Sequence, residues 1–198
     1  MPYCAIFEGT IHDGQDDVSN NYYATLESHL RKQEGLVEEV NYVNGSPLDS
    51  MLLSTWTDEQ ALEGWQKLPI HLHIQDSARQ NVYASYRIRL GWEGSSTPTT
   101  SNTGQFMVLY QAKKDGNESK IQDLLWEPAQ AGVILAEMLD HSVWWTETHI
   151  LYVTGWPDEK LALQFERGLK RVSGDYLRLV TVSRDYTKLD RGEAPSAK

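Results

Sequence analysis

The sequence is poor in cysteine and in positive charge, and it contains no long apolar run. Its 198 residues include one cysteine, Cys4, which excludes an internal disulfide framework and a four-cysteine metal site. The formal net charge of −10 would repel a phosphate backbone. No stretch approaches the roughly 20 apolar residues of a membrane helix, and no signal-peptide pattern is seen. We therefore expect a cytoplasmic protein that binds neither nucleic acid nor membrane.

Two copies of one short motif lie 100 residues apart. Trp56-Thr57-Asp58-Glu59 recurs as Trp156-Pro157-Asp158-Glu159, and each copy follows an apolar run and precedes an amphipathic pattern. The correspondence continues into the helix pattern, where Trp65 of the first copy matches Phe165 of the second. Self-similarity at a spacing of half the chain indicates a tandem repeat of one structural unit.

The first repeat is predicted from its alternating strand and helix patterns. Gly35 is expected to end the first helix, and Asn44-Gly45-Ser46-Pro47 to join two strands. Thr57 is predicted to cap the next helix because Gln60 stands three residues later, and Pro69 to open another. The resulting order, βαββαβ, is the ferredoxin-like arrangement. The predicted elements are strand Tyr3–Glu8, helix Ser19–Gln33, strands Leu36–Val43 and Met51–Trp56, helices from Thr57 and Pro69, and strand Val82–Trp92.

The second repeat, over 105–190, is predicted to follow the same order in degenerate form. Pro157 is placed at the first position of its helix, and no helix equivalent to the one carrying His71 is evident. The Ser-, Thr- and Gly-rich segment 93–104 is predicted to be a linker, and 191–198 a frayed, disordered tail. The predicted elements are strand Gln105–Gln111, helix Asn117–Trp126, strands Val133–Leu139 and Thr148–Trp156, helix Pro157–Leu169 and strand Tyr176–Ser183.

A four-stranded sheet with helices on one face leaves its other face uncovered, so each repeat needs a partner. We expect an α+β protein in which the sheets of repeats 1–92 and 105–190 face each other and form a single-chain α/β barrel around a cavity. The alternative is two separate domains. If the barrel forms within one chain, the monomer is an intrachain pseudo-dimer. A homodimer of such chains is the other possible oligomeric state.

The segment Leu52–Leu90 resembles the second half of an antibiotic biosynthesis monooxygenase domain, a family of the dimeric α/β-barrel superfamily. The resemblance is carried by Trp56, Asp58-Glu59, Trp65, Pro69 and His71. It implies a monooxygenase that uses no metal, flavin or haem and acts with dioxygen on a small aromatic or polyketide intermediate of secondary metabolism. Haem degradation, found in other members, is not expected, because Phe7 and Gln75 replace the asparagine and histidine used there.

The resemblance also points to site residues. His71 is the candidate base or proton relay, because an imidazole titrates near neutral pH. Trp65 is the candidate pocket wall, and Tyr86 or Arg87 the candidate partner for a substrate anion. Alternation along a strand allows only one of those two to face a given cavity. His73 is a further candidate substrate contact, but His71 and His73 would lie roughly 200° apart on a helix, which argues against a shared metal.

Each of these residues also has a structural interpretation. Trp65 would then fill the core, His71 would lie exposed at a helix start, and Arg87 would face solvent or pair with an acid. The chemistry is equally open, because a lyase, cyclase or isomerase would need the same deprotonated substrate without oxygen. A non-catalytic small-molecule-binding protein is the alternative from outside the enzymes.

Overall fold

The structure is a computed structural model that describes residues 1–94, 103–114, 137–169 and 174–192. The chain forms two compact units. Unit 1 comprises Met1–Gly91 together with the described residues from Arg184 onward, and unit 2 comprises the described residues of Trp92–Ser183. The C-terminal end of the second repeat therefore belongs to the unit built by the first.

Unit 1 has the ferredoxin-like order of elements with one additional helix. Its sheet order is β2-β3-β1-β4, and the end of the chain's last strand lies next to β4. β3 pairs antiparallel with both β1 and β2. The elements are β1 (Tyr3–Ile11), α1 (Asp16–Leu30), β2 (Leu36–Tyr42), β3 (Asp49–Trp56), α2 (Glu59–Gln66), α3 (Pro69–Asn81) and β4 (Tyr83–Glu93), whose final residues fall in unit 2.

Unit 2 repeats the same strand order, with β6-β7-β5-β8 corresponding to β2-β3-β1-β4. Its strands pair antiparallel, as in unit 1. The α+β class and the two tandem ferredoxin-like repeats predicted from the sequence are thereby confirmed, while the barrel stays a prediction. The elements are β5 (Phe106–Lys113), β6 (Asp140–Trp145), β7 (His149–Trp156), α4 (Glu159–Gly168) and β8 (Tyr176–Thr187).

Equivalent tryptophans occupy equivalent positions in the two sheets. Trp56 ends β3 opposite Tyr3, and Trp156 ends β7 opposite Phe106. Both indoles are completely buried. The apolar sides of the helices pack onto this part of each sheet, with Leu62 buried from α2 and Ala162 and Phe165 buried from α4. The repeat seen in the sequence is thus a repeat of core packing.

The residues that begin the two corresponding helices differ from the prediction. Asp58, and not Thr57, is the N-cap of α2, and its Oδ1 accepts from the Ala61 N–H at 3.0 Å. Asp158 caps α4 in the same way, accepting from the Leu161 N–H at 2.9 Å, so Pro157 precedes the helix. A carboxylate is the stronger cap because it also interacts favourably with the helix dipole.

Two further predicted boundaries were wrong. α1 ends at Leu30, before Gly35, which has a φ of +84° and where an added Cβ would lie 2.5 Å from that of Ala61. Gly35 therefore allows the close approach of α2 and does not end a helix. In unit 2 the strand expected over Val133–Leu139 is absent from its described residues 137–139, and β6 instead begins at Asp140. The predicted helix Asn117–Trp126 lies outside the described residues.

The last strand is longer than its apolar pattern suggested. β8 continues past Ser183 to Thr187, and Arg184–Thr187 belong to unit 1. Arg184 donates to Glu59 of α2 at 2.8 Å, and Tyr186 is buried. Among the described residues, no helix is long and apolar enough to cross a membrane.

Candidate functional site

The corner that leads from strand to helix is built identically in the two units. The Trp56 indole N–H donates to Ser54 Oγ at 3.0 Å, and the Trp156 indole N–H donates to Thr154 Oγ1 at 3.0 Å. A buried indole N–H without a partner would cost about 1–3 kcal/mol, so the hydroxyl two residues earlier stabilises each tryptophan in its place. These corners fix where the helices start and carry no free reactive group.

Trp65 and His71, two predicted site residues, are in direct contact. Trp65 is buried at the end of α2, and His71 is buried in the first turn of α3. Lys67 and Leu68 separate the two helices, and this short break turns α3 back so that the rings stack with centroids 4.4 Å apart and an interplanar angle of 22°. The prediction of a helix opened by Pro69 is confirmed.

The His71 ring is a neutral imidazole with one unsatisfied nitrogen. Burial lowers the pKa of His71 to about 4, although nearby backbone groups of Gln66 and Trp65 act in the opposite direction. Nδ1 is buried and has no hydrogen-bond partner. We therefore assign the contacts with the backbone to Nε2–H and the free lone pair to Nδ1. A buried hydrogen-bond acceptor without a donor is unusual in a folded protein, and it marks a place where a donor group of a ligand would bind.

Tyr86 belongs to an aromatic cluster on the sheet of unit 1. Its ring lies 5.9 Å from Phe7 in a stacked arrangement, and Tyr83 meets Phe7 edge-to-face at 5.0 Å. Gly9 makes room for this cluster, because an added Cβ there would lie under 3 Å from ring atoms of Phe7 and Tyr83. Tyr83 and Tyr86 are three residues apart on β4, where strict alternation would place them on opposite faces, yet both rings contact Phe7.

The other two predicted contacts have different surroundings. Arg87 Nε and Nη2 donate to the two carboxylate oxygens of Asp185 at 2.9 and 2.6 Å, so its guanidinium neutralises an acid of β8. His73 is exposed on α3, on the side away from His71. The structure thus brings together Trp65 and His71, places Tyr86 in the aromatic cluster, and engages Arg87 in an ion pair.

Tyr186 and Arg191 also belong to this region, although neither was predicted from the sequence as a site residue. Arg191 was assigned to a frayed tail, but its Nη1 donates to the Tyr86 hydroxyl at 2.5 Å and its guanidinium lies 5.9 Å from the centre of the Tyr186 ring. Only the alternation of Asp185 and Tyr186 after Ser183 hinted that the strand continues. Within the described residues, no group of three or more His, Cys, Asp or Glu side chains is arranged to hold a metal ion.

No family model matches the chain, and no curated protein sequence matches it. Solved structures similar to it include an antibiotic biosynthesis monooxygenase (14% identity over 48% of this chain and 99% of that one, TM-score 0.42). A variant of SnoaB, a cofactor-independent oxygenase from Streptomyces nogalater, is similar at 16% identity over 49% and 97%, with a TM-score of 0.42. A protein from Lactobacillus acidophilus NCFM is similar over 94% of this chain and 96% of that one, at 10% identity and a TM-score of 0.42. The family suggested by the motifs from Trp56 to His71 is therefore represented among the similar structures.

Proposed function

We propose that the chain is a cofactor-independent monooxygenase acting on a small aromatic intermediate of secondary metabolism, with His71 and Trp65 in its site. The observation that carries the proposal is the buried, unpartnered Nδ1 of His71 beside the stacked Trp65 ring. Together they offer one hydrogen-bond acceptor in apolar surroundings, which suits a ligand that has an aromatic body and one hydroxyl.

The lowered pKa defines the role of His71. With a pKa of about 4, the free imidazole is a weak base, so it accepts a hydrogen bond from the substrate hydroxyl before any proton moves. As the substrate ionises, its negative charge favours the imidazolium and raises the pKa of His71 toward the value needed to keep the proton. His71 thereby acts as an acceptor first and a proton relay second.

The substrate supplies the electrons for the reaction. An ionised anthrone or phenol transfers one electron to dioxygen, and recombination gives a hydroperoxide on the substrate carbon. When that carbon was originally a CH₂ group, loss of water leaves a carbonyl, so one oxygen atom enters the product and the other leaves as water. The protein contributes the acceptor at His71, the apolar wall at Trp65 and exclusion of water.

A non-catalytic binding protein is the second candidate, and one observation favours it. The contacts of His71 with the backbone of Gln66 and Trp65 place its ring at the end of α2, where a histidine N–H can donate to the last carbonyl groups of the helix. In that role the ring would join the two helices and perform no chemistry.

Dioxygen uptake separates these functions. Metal-stripped protein is assayed against a panel of anthrones, naphthols and hydroquinones, with wild type compared with His71→Gln and His71→Asn. The glutamine amide reaches the position of Nε2 and retains the helix contact, whereas the asparagine amide occupies the position of Nδ1. His73→Gln on the exposed side of α3 is the matched control.

We expect uptake above the spontaneous rate in wild type and His73→Gln, and a loss of at least about 100-fold in a folded His71→Gln, since general acid–base groups contribute that much. Full uptake in His71→Gln would remove His71 from the reaction. Turnover without dioxygen uptake would indicate a lyase or cyclase. Ligand binding without turnover would favour the non-catalytic binding protein.

A further inference from the structure

We propose that Arg191, together with the Tyr86 hydroxyl, forms the anion-binding point of unit 1 and takes the negative group of an aromatic anion such as a phenolate, an enolate or a carboxylate. The inference deepens the proposed function and rests on it for the identity of the ligand class. It is based on two features of Arg191: its guanidinium contacts the Tyr86 hydroxyl and the Tyr186 ring, and it pairs with no described carboxylate.

Arg191 is distinguished from the other arginines of unit 1 by its partners. Among the described arginines of that unit, the other five each pair with a carboxylate, whereas the described partners of Arg191 are the neutral hydroxyl of Tyr86 and the ring of Tyr186. The five pairs are Arg31 with Glu27, Arg79 with Asp76, Arg87 with Asp185, Arg89 with Glu8, and Arg184 with Glu59.

The hydrogen-bonding capacity of the pair remains largely unused. A guanidinium has five N–H donors, and one of those on Arg191 is used by the Tyr86 oxygen. Because that oxygen acts as the acceptor, the Tyr86 hydroxyl hydrogen is left to donate elsewhere. An anion bound here would receive charge-assisted hydrogen bonds from two groups, and such bonds are roughly twice as strong as neutral ones.

The position of Arg191 is fixed by the segment before it. The Lys188 N–H donates to the Tyr86 carbonyl at 3.1 Å, and Lys188 Nζ donates to the Tyr83 carbonyl at 2.5 Å. A turn closed by the Thr187 N–H and the Asp190 carbonyl, 2.7 Å apart, then brings Arg191 over β4. Little side-chain and backbone entropy is therefore lost when a ligand binds.

The surroundings match an aromatic ligand and a negative charge. Tyr86, whose hydroxyl contacts the guanidinium, belongs to a ring cluster with Phe7 and Tyr83. Tyr186 is buried, and burial raises its pKa to about 12, so its hydroxyl stays neutral at physiological pH. Arg87, the arginine that the sequence suggested for this role, is paired with Asp185. Arg191 brings a charge that is not neutralised by any described carboxylate.

The test measures charge selectivity and does not depend on turnover. Binding of 2-naphthoate and of its neutral analogue 2-naphthamide is measured by calorimetry without oxygen, for wild type, Arg191→Gln, Arg191→Lys and Tyr86→Phe. Arg31→Gln removes the same charge from an exposed side chain of α1 and is the matched control. Circular dichroism and melting temperature show whether each variant is folded.

We expect wild type to bind 2-naphthoate at least tenfold more tightly than 2-naphthamide. Hydrogen bonds to charged groups are worth about 1.5–3 kcal/mol, so Arg191→Gln should lose roughly 10- to 100-fold in naphthoate affinity and leave naphthamide binding within twofold. Arg191→Lys should recover part of the loss, and Tyr86→Phe should lose less than Arg191→Gln.

Equal affinity of wild type for the two ligands, or an equal loss in Arg31→Gln, would overturn the proposal. The selectivity should persist in His71→Gln, because that variant keeps both Arg191 and Tyr86. Selectivity without oxygen uptake would leave the anion site standing while the monooxygenase proposal fails, and uptake without selectivity would do the reverse.

Discussion

Helices α2 and α4 begin in the same way and end in different ways. Each starts with an aspartate cap two residues after a buried tryptophan whose indole N–H is held by a hydroxyl. At the far end, Trp65 of α2 stacks on His71 of the following helix, whereas Phe165 of α4 packs against Trp156 itself, with ring centroids 5.0 Å apart. The start of the helix is shared scaffold, and the end is where the units have diverged.

The difference separates packing from chemistry. In unit 2 the helix aromatic completes an apolar cluster that includes Tyr152 and Leu179. In unit 1 the same position faces an imidazole with an unsatisfied nitrogen. An apolar cluster leaves no polar atom to satisfy at this position, so the end of α2 bears a local cost that the end of α4 does not. We interpret that cost as the mark of a site in unit 1.

The largest effect is expected at the two buried tryptophans, which belong to the scaffold that both units share. Trp56→Ala and Trp156→Ala each remove a fully buried indole and should each destabilise the protein by about 3–5 kcal/mol in denaturant unfolding. Leu189→Ala, at a side chain that is 95% exposed, is the control and should change little. A loss confined to one tryptophan would show that the two corners are not energetically equivalent.

The next effect is specific to unit 1 and depends on pH. The folded-state pKa of His71 is about 4, below its ordinary value of 6.5, so the unfolded chain takes up the proton first as the pH falls. The stability that depends on neutral His71 is therefore fully present above pH 6.5 and is lost as the pH falls through about 4. The free energy of unfolding falls by about 3 kcal/mol in all.

Unfolding free energies measured across this pH range for wild type and His71→Gln test that dependence. The glutamine variant should show a smaller acid loss, while His73→Gln, whose parent side chain is exposed, should follow wild type. Identical pH profiles for all three proteins would contradict a neutral, buried His71.

The smallest effect is expected at the aspartate caps of α2 and α4, which both units also share. Asp58→Ala and Asp158→Ala each remove one N-cap hydrogen bond and should lower the melting temperature by roughly 2–4 °C. Asparagine at either position should restore most of the loss, because its carbonyl oxygen can accept the same bond. Thr57→Ala is the sharp comparison, and a larger effect there than at Asp58 would favour the cap expected from the sequence.

The elements that the sequence predicted well depend on local patterns. The tetrapeptide recurs between the repeats, and the helix opened by Pro69 and the order of strands and helices along the chain follow from patterns within each repeat. The cap was misplaced by one residue because Thr57 and Asp58 are both good capping residues, and the sequence alone does not show which backbone turns first. Such errors shift a boundary and leave the fold unchanged.

The site was harder to predict because its contacts connect distant parts of the chain. Arg87 and Asp185 are 98 residues apart, and Tyr86 and Arg191 are 105 apart. No periodicity reports such pairs, and the polar residues Arg184 and Asp185 resemble the end of a strand. The stacking of Trp65 on His71 depends on the turn between α2 and α3, which spacing alone does not define.

The membership of Arg184–Thr187 in unit 1 has a consequence for synthesis on the ribosome. The partners of Arg87 and Tyr86 are Asp185 and Arg191, which are translated 94 (185 − 91) and 100 (191 − 91) residues after Gly91. At usual elongation rates this delay is on the order of 10 s, during which β4 has an unpaired edge. The N-terminal repeat is therefore the first to begin folding and among the last to finish, and premature termination within unit 2 would leave the earlier unit incomplete.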